Sequence, residues 1–527
     1  MTKAIMFQGT SSNVGKSILA AGLCRIFLED GYSVAPFKAQ NMALNSFVTE
    51  EGLEMGRAQV TQACACRIKP DVRMNPILLK PSSGTGSQVI VMGKPAGHMN
   101  VQTYADFKKK LRIVVKDAYE YLKSRYDIIV IEGAGSPAEI NLKKGDITNM
   151  HVAKLARCPV IIVGDIDKGG VYAHFAGTFD LLDKDEQELT AGFIINKFRG
   201  DQSMLEPANA FIEQRTQRKI FGVVPWIPDL KLPDEDSVEF KKKVGKSKDK
   251  TKSFKDDMVN IVLVDLPHIS NFTDFDVFDT DPDVNLHVTD KPEDLMEADI
   301  IMIPGSKNTI WDMGYLREKG FPGVLQRCIT NGKMVVGICG GYQVLGKHIV
   351  DDEAVESAQK EIKGLGFLDI TTVMAEEKRL TQVTATCVEG DLPVKGYEIH
   401  HGRSRINEIP FLVSKNSEKE ILGCRNVHGN VWGTYIHGVF DSASFRNYIL
   451  NKIRAKKKLP LTESRRTFDI DAELSRLAAI LRENIDLDTI YNFCLRRPGG
   501  SFEKPPPGPP QNFSLEKKVK PKASPNV

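Results

Sequence analysis

No stretch of this chain approaches the ~20 consecutive apolar residues that a membrane-crossing helix needs, so no membrane role is expected. Cysteine is sparse. Nine in 527 residues, scattered without a disulfide-like framework, suit a reducing compartment. Cys64 and Cys66 stand too close for a typical zinc knuckle and read as helix packing. A secretory leader is not expected either, because residues from Gln8 and Gly9 onward already read as functional; the expected location is the cytoplasm. Basic folded surface is also lacking. The net charge is +3, yet residues 241–257 hold eight lysines against three aspartates and residues 503–527 hold five lysines against two glutamates. What remains is net acidic, which argues against a nucleic-acid partner.

What is present is a chain too long for one core. Apolar runs at Ala4–Phe7, Ser33–Phe37, Asp127–Ile131, Val160–Val163, Ala191–Ile195 and Phe221–Val224 read as strands. Between the first two, Ile18, Leu19, Leu23, Ile26 and Phe27 share one helical face that Gly31 can close. Strand–helix–strand order predicts right-handed crossovers, a mostly parallel sheet and ligands at the strand C-terminal ends. A second alternating block has strands near Asn260–Val264, Asp299–Ile303 and Met334–Ile338, then β-rich sequence to about Phe440. Helices are expected at Ala472–Arg482 and Leu487–Cys494. The expected division is residues 1–240, a lysine-rich linker 241–257, a second α/β domain 258–455, a helical extension 456–496 and a disordered proline- and lysine-rich tail 497–527.

The segment Gly9-Thr-Ser-Ser-Asn-Val-Gly15-Lys16-Ser17 follows a strand and opens a helix, the context of a phosphate-binding loop. Its spacing is unusual, with five residues between Gly9 and Gly15. Gly9, Thr10, Asn13 and Gly15 would cradle phosphates, Lys16 neutralise them, and Ser17 hold magnesium. Glu132, ending the apolar run 127–131, brings a metal-binding carboxylate to the same sheet edge. Asn196 and Lys197 end another strand and are placed for the adenine edge. Asp165, Asp167 and Lys168 end a further one, facing substrate, metal or water.

Gly337-Ile-Cys339-Gly340-Gly341 has the spacing of a strand-to-helix elbow, in which a helix N-terminus lowers the thiol pKa. Upstream, Pro304-Gly305-Ser306 offers a second oxyanion N–H beside that of Gly340. His437, in Trp432-Gly-Thr-Tyr-Ile-His437-Gly438, supplies a distant general base. Elbow, glycine loop and histidine come in the order used by class I glutamine amidotransferases.

The match goes further. The chain resembles the cobyric acid synthases, CobB/CobQ-type class I glutamine amidotransferases, from about residue 3 to about 495. The resemblance rests on Gln8-Gly-Thr-Ser-Ser, Lys38-Ala-Gln40-Asn41-Met42 with Leu44-Asn45-Ser46, Met74-Asn75-Pro76, Gly135-Ser-Pro-Ala-Glu139-Ile-Asn141 and Asp165-Ile-Asp-Lys-Gly-Gly170. In the second half it rests on Ile269-Ser-Asn-Phe-Thr-Asp-Phe-Asp276, Pro304-Gly-Ser-Lys-Asn-Thr309, Gly337-Ile-Cys-Gly-Gly-Tyr-Gln343 and Gly396-Tyr-Glu-Ile-His400. It implies an α/β protein with a dethiobiotin-synthetase-like P-loop domain and a class I glutaminase domain. The implied activity is ATP- and glutamine-dependent amidation of the b, d, e and g carboxylates of adenosylcobyrinic acid a,c-diamide. ATP and Mg2+ are the implied cofactors, glutamine the nitrogen donor and a corrinoid the partner. Lys38, Gln40, Asn41 and Asp146, together with Asp165, Asp167 and Lys168, are candidate substrate contacts.

One departure stands out. Class I triads place a glutamate two residues after the histidine, and here that position is Val439. Glu398 and Asp441 are the two acids considered as orienters. The alternatives are a cobyrinic acid a,c-diamide synthase and a ParA-like switch ATPase. The second usually carries an additional lysine early in its phosphate loop, absent here, and has no use for a cysteine elbow.

Overall fold

The computed structural model describes residues 3–81, 86–233, 254–416, 419–463 and 468–495. Most of the lysine-rich linker and the whole proline- and lysine-rich tail therefore lie outside the described residues.

The first half is built on six parallel strands. In spatial order they are Lys219–Pro225, Thr190–Phe198, Val160–Asp165, Lys3–Gly9, Ile128–Glu132 and Val34–Phe37. Alternate residues of each strand go to opposite faces. Ile5 and Phe7 join one core with Leu19, Leu23 and Ile26 of the helix Lys16–Glu29, whereas Ala4 and Met6 join another with Ile129 and Ile131. Helices cover both faces, as the continuous apolar runs require.

Between the second strand and Ile128 lies an insertion that hydrophobic periodicity alone did not reveal. It contains a four-stranded sheet (Gln40–Met42, Ile77–Pro81, Gly86–Val91, Lys94–Asn100) and a hairpin pairing Ser46–Val48 with Glu54–Gly56. Its strands are three to seven residues long, too short and polar to give a clean alternating pattern.

The second half has an eleven-stranded mixed sheet. Its parallel part runs Val284–Thr289, Val259–Val264, Ile300–Ile303, Met334–Ile338 and Val431–Thr434. An antiparallel extension follows, dominated by the long strands Ile370–Cys387 and Leu392–Ile406.

After the helix Ala443–Lys457 the chain returns to the first half. The helix Ile470–Asn484 packs on Lys16–Glu29, with Leu474, Leu477, Ala478 and Leu481 buried in the same core as Leu23 and Ile26. A Cβ on Gly22 would fall 2.3 Å from Leu481 Cδ1, so the helices meet where a side chain is missing. Arg25 and Arg67 both bind Asp471, and Arg482 binds Asp30 at 2.6 Å. Leu477→Ala should lower the urea midpoint of the full-length protein, by about 2–5 kcal/mol of stability, because it empties a fully buried position. An unchanged midpoint would show that this helix is not part of the core.

Candidate active site

Two sites form at the carboxyl ends of the two parallel sheets. At the first, the chain leaves Lys3–Gly9 and folds back over its own end before entering the helix at Lys16. Gly15 has φ +99°, and a Cβ there would collide with the Asn196 amide at 2.1 Å. Lys16 Nζ donates to the carbonyls of Ser11 and Gly135, each at 3.0 Å. Ser17 Oγ donates to Glu132 Oε1 at 2.7 Å, Lys38 Nζ pairs with the same oxygen at 2.8 Å, and Gln62 donates to Oε2 at 2.7 Å. The extra residue in the loop is accommodated by Asn13, which takes a left-handed conformation at φ 60°.

Gly9, Thr10, Asn13, Gly15, Lys16, Ser17 and Glu132 thus lie at one sheet edge, and Lys38, expected as a substrate contact, binds Glu132 there. A serine hydroxyl and a carboxylate in contact beside a phosphate loop form the hard-oxygen donor set that magnesium prefers, with nucleotide oxygens completing the shell. Thr10 Oγ1 is buried without a hydrogen-bond partner, a further polar atom open to a ligand.

Asn196 and Lys197, expected at the adenine edge, brace the loop. Asn196 donates to the Val14 carbonyl at 2.8 Å and Lys197 to that of Asn13 at 2.7 Å. Asp165 pairs with Lys197 at 3.1 Å and accepts the Asp167 N–H at 3.0 Å. Lys168 lies 3.9 Å from Asp165, and Arg199 pairs with Asp167 at 3.2 Å. These charges mainly satisfy one another.

Two of the expected substrate contacts are engaged within the protein. Asn41 is buried and donates to Gln59 at 3.1 Å, under the surface. Asp146 accepts the N–H groups of Thr148, Asn149 and His151 at 2.8–2.9 Å and so organises a turn on the wall of a cleft. The turn matters, because Asn149 then pins the loop at Ala134, donating to that carbonyl and accepting that N–H at 2.8 Å each. Gln40 remains at the surface of a cleft of about 510 Å³ that Ser12, Met42, Lys108, Arg112 and Gly135 also line. A cavity of about 320 Å³ near Met296 and Asn331 touches neither site.

At the second site, Cys339 follows Met334–Ile338 and precedes a six-residue helix, Gly340–Leu345. Its backbone sits at φ 52°, ψ −107°, a strained conformation for a residue with a side chain. The helix can start there because a Cβ on Gly341 would overlap the Ile303 carbonyl at 1.9 Å. Gly305 and Ser306 pair antiparallel with Ser270 and Ile269, and the Ser306 nitrogen lies 2.7 Å from where a Cβ of Gly340 would be. The Ser306 backbone is thereby packed against the residue that follows the thiol.

His437 is fully buried and within interaction range of Cys339. Neither acid considered from the sequence holds it. Glu398 binds Arg379 at 2.7 Å and His400 at 3.4 Å. Asp441 is held in a dry setting whose burial, with nearby Asp274, pushes its pKa up to about 6. The partner of His437 is Asp274: Nδ1 to Oδ2 is 2.7 Å, and Oδ1 accepts the Gly438 N–H at 2.8 Å. Burial disfavours charge on His437, but Asp274 overrides it and raises the pKa. Asp274 is 163 residues away in sequence, at the heart of the Ile269–Asp276 block. That block carried the family resemblance, and an acid inside it was the available signal. Val439 is plain core.

No helix among the described residues is long and apolar enough to cross a membrane. Residues 5–239 match the profile of the CobQ/CobB/MinD/ParA nucleotide binding domain, and residues 260–445 that of the CobB/CobQ-like glutamine amidotransferase domain. The chain is 46% identical to a cobyric acid synthase of Nitratidesulfovibrio vulgaris, over 95% of this chain and 98% of that one. It is 46% identical to one from Carboxydothermus hydrogenoformans (93% and 99%) and 47% identical to one from Salmonella dublin (93% and 98%). A nucleotide-type loop and a cysteine elbow in one chain, matched along nearly their whole length, lead to one conclusion: the chain belongs to the cobyric acid synthase family.

Proposed function

We propose that the protein uses ATP and glutamine to amidate the b, d, e and g carboxylates of adenosylcobyrinic acid a,c-diamide. The observation that carries this reading is one chain holding both a phosphate loop with its carboxylate and a cysteine–histidine–aspartate arrangement. The cleft beside Ser12 and Gly135 suits a large macrocycle bearing acids. Met42 and Leu142 expose apolar surface there (59% and 57%), and Lys108 and Arg112 make no ion pair among the described residues.

A carboxylate cannot expel oxide in favour of ammonia, so it must first gain a leaving group. Lys16 and the loop amides would hold the γ-phosphoryl group while a substrate carboxylate oxygen attacks it, giving an acyl phosphate and ADP. Ser17 and Glu132 would hold the nucleotide's magnesium, which supplies neutralisation of phosphate charge. Ammonia then attacks the acyl carbon and phosphate departs.

At the other site His437 takes the Cys339 proton, and the thiolate attacks the side-chain amide carbon of glutamine. The Ser306 and Gly340 N–H groups would receive the resulting oxyanion. His437 returns the proton to the leaving nitrogen, releasing ammonia and a thioester, which water hydrolyses to glutamate. Asp274 fixes the histidine tautomer throughout.

Three measurements test this scheme. Cys339→Ala should abolish glutamine-supported amidation and leave amidation from added ammonium salts intact; joint loss of both would refute the division of labour. Lys16→Ala should depress product formation with either nitrogen source, read as corrinoid mass, and full activity there sinks the phosphate-loop assignment. Asp274→Asn should cut the kcat of glutamine hydrolysis by about a hundredfold or more, with ammonium-supported turnover kept. An equal loss from Asp441→Asn and none from Asp274→Asn would reassign the third member.

A further inference from the structure

The segment that packs against the cysteine elbow brings charges that the thiol chemistry leaves unused. Lys307 follows Ser306 and is only 9% exposed, yet its side chain makes no hydrogen bond or ion pair among the described residues. Two acids lie near enough for their charges to act on it, Glu356 and Glu54. Glu54 is already taken, one oxygen by Lys80 at 2.9 Å and the other by Lys378 at 2.6 Å. Glu356 forms no ion pair with Lys307 either. Burial pushes the Lys307 pKa down and the Glu356 pKa up, so neither charge is fully compensated inside the protein. Positive charge is in surplus here: burial, with Lys378 and Lys307 nearby, holds the His401 pKa down to about 3. A buried cation without a partner is costly, and its setting calls for an anion.

Both charges are tied to the elbow through backbone. The Lys307 N–H donates to the His268 carbonyl at 2.9 Å, and Ser306 Oγ donates to the buried Asp312 at 2.6 Å. Glu356 Oε2 accepts the Thr309 N–H at 3.0 Å, and Thr309 Oγ1 lies 3.2 Å from where a Cβ of Gly340 would be. The loop that carries Glu356 is fixed in turn by Asp351, which accepts the N–H groups of Val355, Glu356 and Ser357 at 2.7–2.9 Å. Lys307 is near enough to Cys339 for their charges to interact. One turn into the helix after Cys339, Gln343 Oε1 is buried without a hydrogen-bond partner, a further acceptor open to a ligand.

Resting on the glutamine-dependent ligase reading, we propose that Lys307 and Glu356 form the subsite for the α-carbon end of glutamine. Lys307 binds the α-carboxylate and Glu356 the α-ammonium group, while the side-chain amide reaches Cys339. An amino-acid zwitterion carries both charges on one carbon, so it can bridge a buried cation and an acid that do not meet each other. Each charge of the ligand then supplies the partner that its side chain lacks, with charge-assisted hydrogen bonds on both sides. No bond is made or broken at this end. Its effect is selection: an amide with one α-group missing leaves Lys307 or Glu356 buried and unpaired, and a glutamine within a peptide, with both α-groups capped, is refused for the same reason.

The test measures amide hydrolysis by full-length protein supplied with ATP, magnesium and the diamide corrinoid. Two analogues each remove one charge: γ-aminobutyramide lacks the α-carboxylate and glutaramate lacks the α-ammonium group. The unaltered protein should use either about a hundredfold less efficiently than glutamine, read as kcat/KM. Lys307→Met should lose about a hundredfold for glutamine, carried by KM, and far less for γ-aminobutyramide, so that the preference between the two collapses. Lys307→Arg, which keeps the charge, should recover much of it. Glu356→Gln should erode the preference over glutaramate in the same way. An unaltered protein that uses γ-aminobutyramide as well as glutamine overturns the proposal without any variant. So does a Lys307→Met protein that still amidates from ammonium salts but loses both amides equally through kcat, because Lys307 would then serve the thiol rather than the carboxylate. Glutamine hydrolysis absent from the unaltered protein with every substrate present would instead overturn the ligase reading.

Discussion

One buried carboxylate joins the two halves of this protein. Glu54 is fully enclosed, with Lys80 of the first half 2.9 Å from one oxygen and Lys378 of the second half 2.6 Å from the other. Burial alone would push its proton on, but the two lysines hold the acid ionised, well below the usual range. The cost falls on Lys378, whose pKa is driven down to about 7 by burial, with Lys80 and Lys307 nearby. Such a cluster is not a cheap source of stability, since well-packed apolar groups often do as well. What it does is fix geometry. Removing one partner strands a buried charge, at about 3–5 kcal/mol, so the halves have one way to fit. Ser46 Oγ donates to the same Glu54 oxygen, and through that contact the register of the interface sets where the Ser46 N–H meets Asn271.

The two sites share a plan and differ in how their charges are balanced. Each uses a glycine-rich turn after a parallel strand to leave backbone groups pointing at a ligand. At the phosphate site the cations lie folded onto protein acceptors: Lys16 on two carbonyls, Lys38 on Glu132. Phosphate oxygens would give Lys16 a charged acceptor in place of those carbonyls. The cysteine site instead stores its tension in the backbone of Cys339, which packed strands on both sides hold in place.

The parallel sheet, the phosphate loop and the cysteine elbow were legible in sequence because each is local. A buried strand, a glycine turn and a helix start lie within about twenty residues, and their physics is written in that window. The inserted sheet and hairpin were not legible, since three-residue strands such as Ser46–Val48 and Glu54–Gly56 take their stability from contacts made elsewhere. Asp274 shows the same limit at a single residue. A search near His437 in sequence offered Asp441 and Glu398, but the hydrogen bond comes from a 3-10 turn on another part of the fold. Asp146 and Asn41 show the limit from the other side: their hydrogen bonds to backbone N–H groups and to Gln59 are set by the fold and have no mark in the local sequence.

The path of the chain ties its last helices to its first. After completing the second half, the chain crosses back and docks Ile470–Asn484 on the helix that begins at Lys16. Asp486 donates its N–H to the Phe221 carbonyl at 2.7 Å, and Gly222 bridges to Ile485 at the sheet edge. The first half thus meets the second at the Glu54 cluster and carries the chain's C-terminal helices on its own core, so its fold is complete only when the last helices have been made.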